Sequence, residues 1–131
     1  MDKPVQVNSD IALLPSHLPL PIPGGGYLGI NAYVLKSQQP MLVDTGMGIE
    51  PDEYMSALES VIDPSEIQWI WITHDDADHI GNLEAVMARA PKAKIITNII
   101  GVARMETAWH IKLDMVHLVN PGETLDVGDR V

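Results

Sequence analysis

Two histidines and three aspartates occupy residues 74–79, a density of possible ligands that few folds need. His74, Asp76, Asp78 and His79 alternate and then adjoin, so a tight loop could direct all four side chains at one or two cations. Neutral imidazole and ionised carboxylate are the ordinary ligands of catalytic zinc, iron and manganese. These four residues therefore predict a metal site.

Helix capping is a simpler explanation for part of this cluster. Asp76 or Asp78 precedes a predicted helix, and a carboxylate at that point complements the helix dipole. Capping accounts for one or two aspartates, but it does not account for a histidine on either side of them. Clustered carboxylates also repel one another unless a cation or water separates their charges. We therefore favour metal ligation.

The cluster follows a predicted strand and precedes a predicted helix. Residues 67–72 are apolar on both faces, which is typical of a buried central strand, and the helical pattern begins near Gly81. The other predicted elements are strands at residues 29–36, 41–44, 94–97, 115–119 and 125–127, and helices at residues 51–62 and 99–109. Residues 1–26 are rich in proline and glycine and predict an irregular lead-in. The pattern indicates a single α/β domain over residues 1–131, with the site at the carboxyl ends of strands.

Composition excludes several classes of protein. The chain of 131 residues carries a formal net charge of −10, with only eight lysines and arginines, so we expect no nucleic-acid partner. It contains no cysteine, which rules out disulfides and thiolate metal sites. No apolar run is long enough to cross a bilayer, and no secretory signal is evident. We therefore expect a soluble, cytoplasmic protein with no membrane partner.

Three segments resemble the metallo-β-lactamase fold family. They are Leu-Val-Asp-Thr-Gly at residues 42–46, Thr-His-Asp-Asp-Ala-Asp-His-Ile-Gly-Asn at residues 73–82, and Asn-Pro-Gly-Glu-Thr-Leu at residues 120–125. The resemblance implies an αββα sandwich, of which residues 1–131 would form the N-terminal half. It also implies two divalent metal ions, with further ligands beyond Val131.

The resemblance also implies a role for each residue of the cluster. His74 and the residue at position 76 would hold one metal. Asp78 and His79 would hold the second, and Asp78 would also act in catalysis by orienting the nucleophile. Asp44 would support the metal loop without binding metal.

Position 76 departs from the commonest family motif, which has histidine where this chain has Asp76. A carboxylate makes the site harder and more anionic, which shifts its preference from zinc toward iron or manganese. Flavodiiron and related oxygen-binding diiron proteins also carry a carboxylate here, and residues 90–95 resemble theirs. The metals could therefore be zinc or iron, with manganese as a third candidate.

Three functions fit these observations. The leading hypothesis is a metal-dependent hydrolase of a small-molecule substrate, in which two metals activate a water. The alternative is a diiron protein that binds or reduces dioxygen. The third is a half-domain that pairs with another chain, and a homo-oligomer fits any of the three. His110 and His117 are not expected to be ligands, because each has a simpler explanation as a surface or core residue. His17 could lie over the mouth of a site, but nothing in the sequence marks it as a ligand.

Overall fold

The structure, a computed structural model, describes residues 1–107 and 111–131. Within these ranges seven strands form one sheet, in the same order as in the sequence. The strands are β1 (Val5–Gln6), β2 (Ile11–Pro19), β3 (Tyr27–Leu35), β4 (Met41–Val43), β5 (Trp69–Trp71), β6 (Lys94–Thr97) and β7 (Val116–Leu118). Strands β1 to β4 pair antiparallel, whereas β4 to β7 pair parallel. The α/β fold class is confirmed.

Helices connect the parallel strands, because a parallel neighbour can be reached only by a crossover. The helices are α1 (Pro51–Val61), α2 (Ala77–Ile80), α3 (Leu83–Arg89) and α4 (Ile99–Met105), with 3-10 turns at Pro64–Glu66 and Leu113–Met115. Helix α1 begins as its sequence predicts, with proline at the start and Asp52 and Glu53 in the first turn. No helix among the described residues is long and apolar enough to span a membrane.

The helices bury one face of the sheet. Leu42, Ile70 and Ile95 are fully buried at the centre of β4, β5 and β6. Leu58 of α1 and Val86 of α3 pack into the same cluster. This apolar core fixes the positions of β4 and β5, and therefore the positions of the loops that follow them.

The opposite face of the sheet is apolar but only partly covered. A row of paired positions crosses it, from Tyr33 through Val43, Trp71 and Ile96 to His117. Val127 covers Ile96, whereas Trp71 is 46% exposed. The prediction that the central strand is buried on both faces is therefore wrong for β5, because Ile70 faces the core and Trp71 does not.

Residues 1–26 are more regular than predicted. Strand β2 (Ile11–Pro19) pairs with the whole of β3, and Ala12 and Leu14 enter the core. Strand β1 pairs only with Ala12 and Leu13, so no strand pairs with residues 14–19 on that side, where the Asp2 amide donates a hydrogen bond of 3.1 Å to the Pro15 carbonyl. Proline is tolerated at such an edge because its missing N–H is not required there. The prediction of an irregular lead-in is therefore wrong for β2.

The other differences concern element boundaries. The helix predicted at residues 81–90 forms over Leu83–Arg89 as α3. A further short helix that was not predicted, α2, precedes it, so the candidate metal-binding motif itself enters a helix. The predicted helix at residues 99–109 ends at Met105, and the last two of its predicted positions lie outside the described residues. The predicted strand at residues 125–127 does not form, and Val127 packs as an irregular segment on the sheet.

Candidate metal centre

The candidate metal-binding motif lies at the carboxyl edge of the parallel strands. Strand β4 ends at Val43 and β5 ends at Trp71, so Asp44 and residues 72–76 emerge side by side. The amide of Asp44 donates a hydrogen bond of 2.9 Å to the carbonyl of Trp71, which holds the two strand ends together. This edge is where α/β sheets place ligand sites, as the sequence predicts.

The structure brings the four predicted ligands together as two pairs. His74 Nε2 lies 3.5 Å from Asp76 Oδ2, and His79 Nε2 lies 3.6 Å from Asp78 Oδ2. The two imidazole rings are adjacent, with centroids 3.9 Å apart. Ligand atoms of His74, Asp76 and Asp78 all lie within 4.8 Å of one another. Each pair therefore offers one nitrogen and one oxygen donor to a cation.

Solvent reaches the two pairs unequally. The side chains of His74 and Asp76 are 46% and 63% exposed, whereas those of His79 and Asp78 are 19% and 32% exposed. Only the second pair is contributed by α2, which begins at Ala77. The pair formed by His79 and Asp78 is therefore the more sheltered of the two.

Asp44, which follows β4, contacts both Thr73 after β5 and the candidate ligand His79. Its Oδ1 accepts a hydrogen bond of 2.8 Å from the Thr73 amide, and its Oδ2 accepts one of 2.7 Å from the Thr73 hydroxyl. His79 Nδ1 lies 2.8 Å from the same Oδ2. The residue is buried and has φ of 59°, a left-handed conformation that aspartate tolerates better than most residues. Both carboxylate oxygens are thus engaged by protein donors.

Tyr54 holds the backbone of Asp44 in place. The buried Tyr54 hydroxyl of α1 donates a hydrogen bond of 3.3 Å to the Asp44 carbonyl. Burial, together with the charge of Asp44, raises the pKa of Tyr54 well above its ordinary value. The phenol therefore remains a neutral donor throughout the range in which the protein would operate.

Residues 45–47 clamp the end of α2 and the residues that follow it. Thr45 donates two hydrogen bonds to the His79 carbonyl, of 2.7 Å from its amide and 3.0 Å from its hydroxyl. The buried Asn82 amide donates to the carbonyls of Thr45 and Met47. A Cβ on Gly81 would lie 2.1 Å from the backbone nitrogen of Gly48, so only glycine allows this approach. The backbone that carries Asp78 and His79 is consequently fixed against β4.

Asp75, the third aspartate of the loop, has a different partner. Its Oδ2 lies 2.8 Å from Nε of Arg104 on α4, and its side chain is only 16% exposed. An aspartate engaged by an arginine in this way is directed toward α4. It serves the packing of the loop and is not one of the paired carboxylates.

The histidines that sequence analysis set aside lie elsewhere or are not described. His17 Nδ1 lies 3.1 Å from Asp2 Oδ2, and its ring meets Tyr27 edge-on. His117 meets Trp69 edge-on, on the side of the sheet away from the helices. His110 lies outside the described residues.

Several residues that shape the site were not predicted from the sequence. Thr73, Tyr54, Asn82 and Arg104 make the hydrogen bonds and ion pair described above, but none is itself a strong ligand type. Only Thr73 and Asn82 carry a signal in the sequence, because both belong to the segment that resembles the family motif. Tyr54 and Arg104 reach the loop from separate helices, which no local pattern indicates.

A family model described as the metallo-beta-lactamase superfamily matches residues 25–130. The chain belongs to this superfamily. The sequence resemblance and the fold that it implied are thereby confirmed, including the assignment of this chain to an N-terminal part of the superfamily fold. Asp44 and the motif at residues 74–79 lie within the matched range.

The relatives within the superfamily include flavodiiron proteins. Flavo-diiron protein FprA2 of Clostridium acetobutylicum is 34% identical over 99 residues, covering 76% of this chain and 25% of the relative. Anaerobic nitric oxide reductase flavorubredoxin of Salmonella typhi is 30% identical over 99 residues, covering 76% and 21%. The solved structure of rubredoxin oxygen:oxidoreductase from Desulfovibrio gigas matches with a TM-score of 0.83 and 28% identity, covering 96% of this chain and 33% of that one. This chain spans about a quarter of the length of the curated relatives it matches.

These relatives correct the prediction of function. They are named as diiron, nitric oxide reductase and oxygen oxidoreductase proteins, and this finding overturns the leading hypothesis of a hydrolase. The names support metal binding by iron and lend no support to zinc or manganese. The enzymatic character that the sequence predicted is shared by the relatives, although their reaction is redox chemistry.

The donor set of the site fits iron. Two imidazoles and two carboxylates, without thiolate, form the nitrogen and oxygen mixture that non-haem iron sites use. Asp76 adds the hard oxygen donor that distinguishes this chain from the commoner histidine motif. The arrangement of the side chains thus agrees with the metal that the relatives' names indicate.

Proposed function

We propose that this chain provides the metal-binding loop of a diiron oxidoreductase that reduces dioxygen or nitric oxide. One observation carries the proposal. Each histidine of the motif turns Nδ1 toward a supporting residue and Nε2 toward an aspartate. A histidine that binds metal through one ring nitrogen and makes a hydrogen bond through the other is typical of metal sites in proteins.

The proposed roles follow the two pairs. His74 and Asp76 would hold one iron, and Asp78 and His79 would hold the other. Asp44 is proposed as a support and not a ligand, because its oxygens already accept three protein hydrogen bonds. The part predicted for Asp78 in orienting a water nucleophile belonged to the hydrolytic mechanism, so Asp78 is now proposed as a ligand only.

The two irons, when bound, would supply electrons and open coordination positions for a diatomic molecule. The residues of this chain would hold the donors in place and keep the anionic loop compact. Four donors are fewer than two irons require, since each metal takes about three protein ligands. We propose that the remaining ligands come from protein other than the described residues.

The alternative diatomic substrates both have support among the relatives. One relative is named for nitric oxide reduction and the solved structure is named for oxygen. Either molecule is small enough to reach the half-exposed pair formed by His74 and Asp76. A homo-oligomer remains a proposal as well, which light scattering of the purified protein would test.

Anaerobic reconstitution with ferrous iron would test the function. Protein that contains this chain together with the residues that complete the ligand set is expected to retain one to two iron equivalents, as two-metal sites do. Addition of oxygen or nitric oxide should then change its absorption spectrum, and a chemical reductant should restore the starting spectrum. Consumption of only one of the two gases would identify the substrate. Failure to retain iron, or a spectrum unmoved by both gases, would reject the proposal.

A further inference from the structure

Thr73 occupies the space between Asp44 and His74, and the proposed ligand roles do not use it. Its hydroxyl oxygen lies 2.7 Å from Asp44 Oδ2 and 3.0 Å from His74 Nδ1. On the other side of the same carboxylate oxygen, His79 Nδ1 lies at 2.8 Å. Asp44 Oδ2 therefore stands at the centre of a chain of contacts that reaches both histidines.

The single proton of the threonine hydroxyl determines the direction of this chain. A carboxylate can only accept, so the Thr73 hydroxyl must donate to Asp44, and the short contact would otherwise place two lone pairs against each other. The hydroxyl oxygen then has only acceptor capacity left for His74. His74 Nδ1 must consequently carry a proton and donate it to Thr73.

The same reasoning applies to His79 without an intermediary. Its Nδ1 faces the carboxylate directly, so it must also carry the proton. In both histidines the lone pair is then left on Nε2, the atom that lies near Asp76 in one ring and near Asp78 in the other. A neutral Nε2 with a free lone pair is the form of imidazole that binds a metal.

We infer that Thr73 is a positioning residue that fixes His74 in the Nδ1-protonated tautomer, so that one buried carboxylate, Asp44, directs a histidine in each metal pair. The role of this tautomer in iron binding rests on the proposed function. The tautomer itself is a property of the metal-free chain. It can therefore be tested whether or not iron binds.

Removal of the hydroxyl should affect the two histidines differently. In Thr73→Val, His74 Nδ1 loses its acceptor while His79 keeps its bond to Asp44. His74 should then shift toward the Nε2-protonated form that a solvated, neutral histidine side chain prefers, and His79 should not. Thr73→Ser retains the hydroxyl and should restore the original tautomer.

Nitrogen-15 NMR of the histidine rings, in metal-free protein at a pH where the imidazoles are neutral, provides the measurement. The wild-type protein should show Nδ1 protonated in both His74 and His79. Thr73→Val should change the pattern of His74 alone, Thr73→Ser should not, and Thr124→Val at an exposed position should leave both rings unchanged. Iron affinity in Thr73→Val should fall about tenfold, at the lower end of the effect of losing a supporting hydrogen bond.

Two results would overturn the inference. The first is a wild-type His74 that is protonated on Nε2, and this measurement does not depend on the folding of any variant. The second is an unchanged His74 pattern in folded Thr73→Val. Protein that shows the expected tautomers but never retains iron would support the inference and reject the proposed function. The two ideas can therefore fail separately.

Discussion

The carboxylate of Asp44 lies 2.8 Å from Nδ1 of His79, although the two residues are 35 positions apart in the sequence. Asp44 directly follows β4, and His79 lies on the short helix α2 that comes after β5. The contact therefore couples the ligand loop to the rigid centre of the sheet. A buried anion that supports a metal-binding histidine raises the basicity of the ligand and fixes its orientation.

Asp44→Asn should weaken metal binding more than it weakens the fold. Asparagine tolerates the left-handed backbone at this position and can still accept from Thr73, but it loses the negative charge. We expect iron affinity to fall roughly 10- to 100-fold, measured by competition with a chelator. Asp52→Asn on the exposed surface of α1 removes the same charge and serves as the control. Equal iron affinity in the two variants would show that Asp44 does not support the site.

Asp76→His should change the choice of metal. The substitution restores the commoner motif of the superfamily and replaces a hard oxygen donor with imidazole. The ratio of zinc to iron retained from a medium containing both metals should rise, as measured by elemental analysis. The reason is that zinc binds readily to imidazole nitrogen, whereas the carboxylate of Asp76 makes the site harder and less suited to zinc.

Asp75→Asn is the matched control for that experiment. Asp75 pairs with Arg104 and lies next to Asp76 in sequence, so the change removes a neighbouring charge without removing a proposed ligand. It should leave the metal ratio nearly unchanged. If the two variants shift the ratio alike, the assignment of alternating ligands is wrong and only the total charge of the loop matters.

Much of the fold could be predicted from local patterns. Helix α1 and strand β6 occupy nearly their predicted positions because local signals mark them: the apolar pattern in both, and in α1 also the proline and the acidic residues of the first turn. Strand β2 was missed because its prolines look like breakers. Only the fold shows that β3 pairs along one side of β2, while no strand pairs with residues 14–19 on the other side. The exposure of Trp71 was likewise hidden, since an apolar run does not reveal which face of a sheet is covered.

The candidate site was also only partly predictable from the sequence. His74, Asp76, Asp78 and His79 could be found because they are contiguous ligand types. Their arrangement as two pairs required the turn after β5, and the hydroxyl of Thr73 is informative only once Asp44 is known to lie beside it. The reaction could not be read from the ligands at all, because the same imidazoles and carboxylates serve hydrolysis and redox chemistry.

Tyr54 should make stability fall at high pH. Its pKa is raised in the folded protein, whereas the unfolded chain ionises near the ordinary value of 10.0. Above that value the unfolded state binds fewer protons than the folded state, so the free energy of unfolding declines as pH rises. The slope from this one group should approach about 1.4 kcal/mol per pH unit. Below the unfolded value the contribution is complete.

Tyr54→Phe provides the comparison for this slope. The variant removes the hydrogen bond to the Asp44 carbonyl and should lose about 1 kcal/mol at neutral pH. It should also lose the extra decline above the ordinary tyrosine pKa, so the two stability curves should converge there. Urea unfolding at several pH values would measure both effects. Parallel curves across that range would mean that Tyr54 ionises normally in the folded protein.

Gly81→Ala should destabilise the protein more than any surface substitution. The new Cβ would lie 2.1 Å from the Gly48 nitrogen and 2.7 Å from the Gly46 carbonyl oxygen, both of which are backbone atoms. Backbone cannot yield as a flexible side chain does, so the turn and the helix must separate. We expect a loss of more than about 3 kcal/mol in urea unfolding of the metal-free protein.

The matched control for Gly81→Ala is Gly29→Ala in β3. A Cβ on Gly29 meets no atom within 4 Å, so the same chemical change should alter stability by less than about 1 kcal/mol. Because Gly81 follows His79 by two positions, separation of the turn should also displace the more sheltered ligand pair. Iron retention in Gly81→Ala should therefore fall even under conditions where the variant remains folded. Normal stability in that variant would show that residues 45–48 do not clamp the ligand loop.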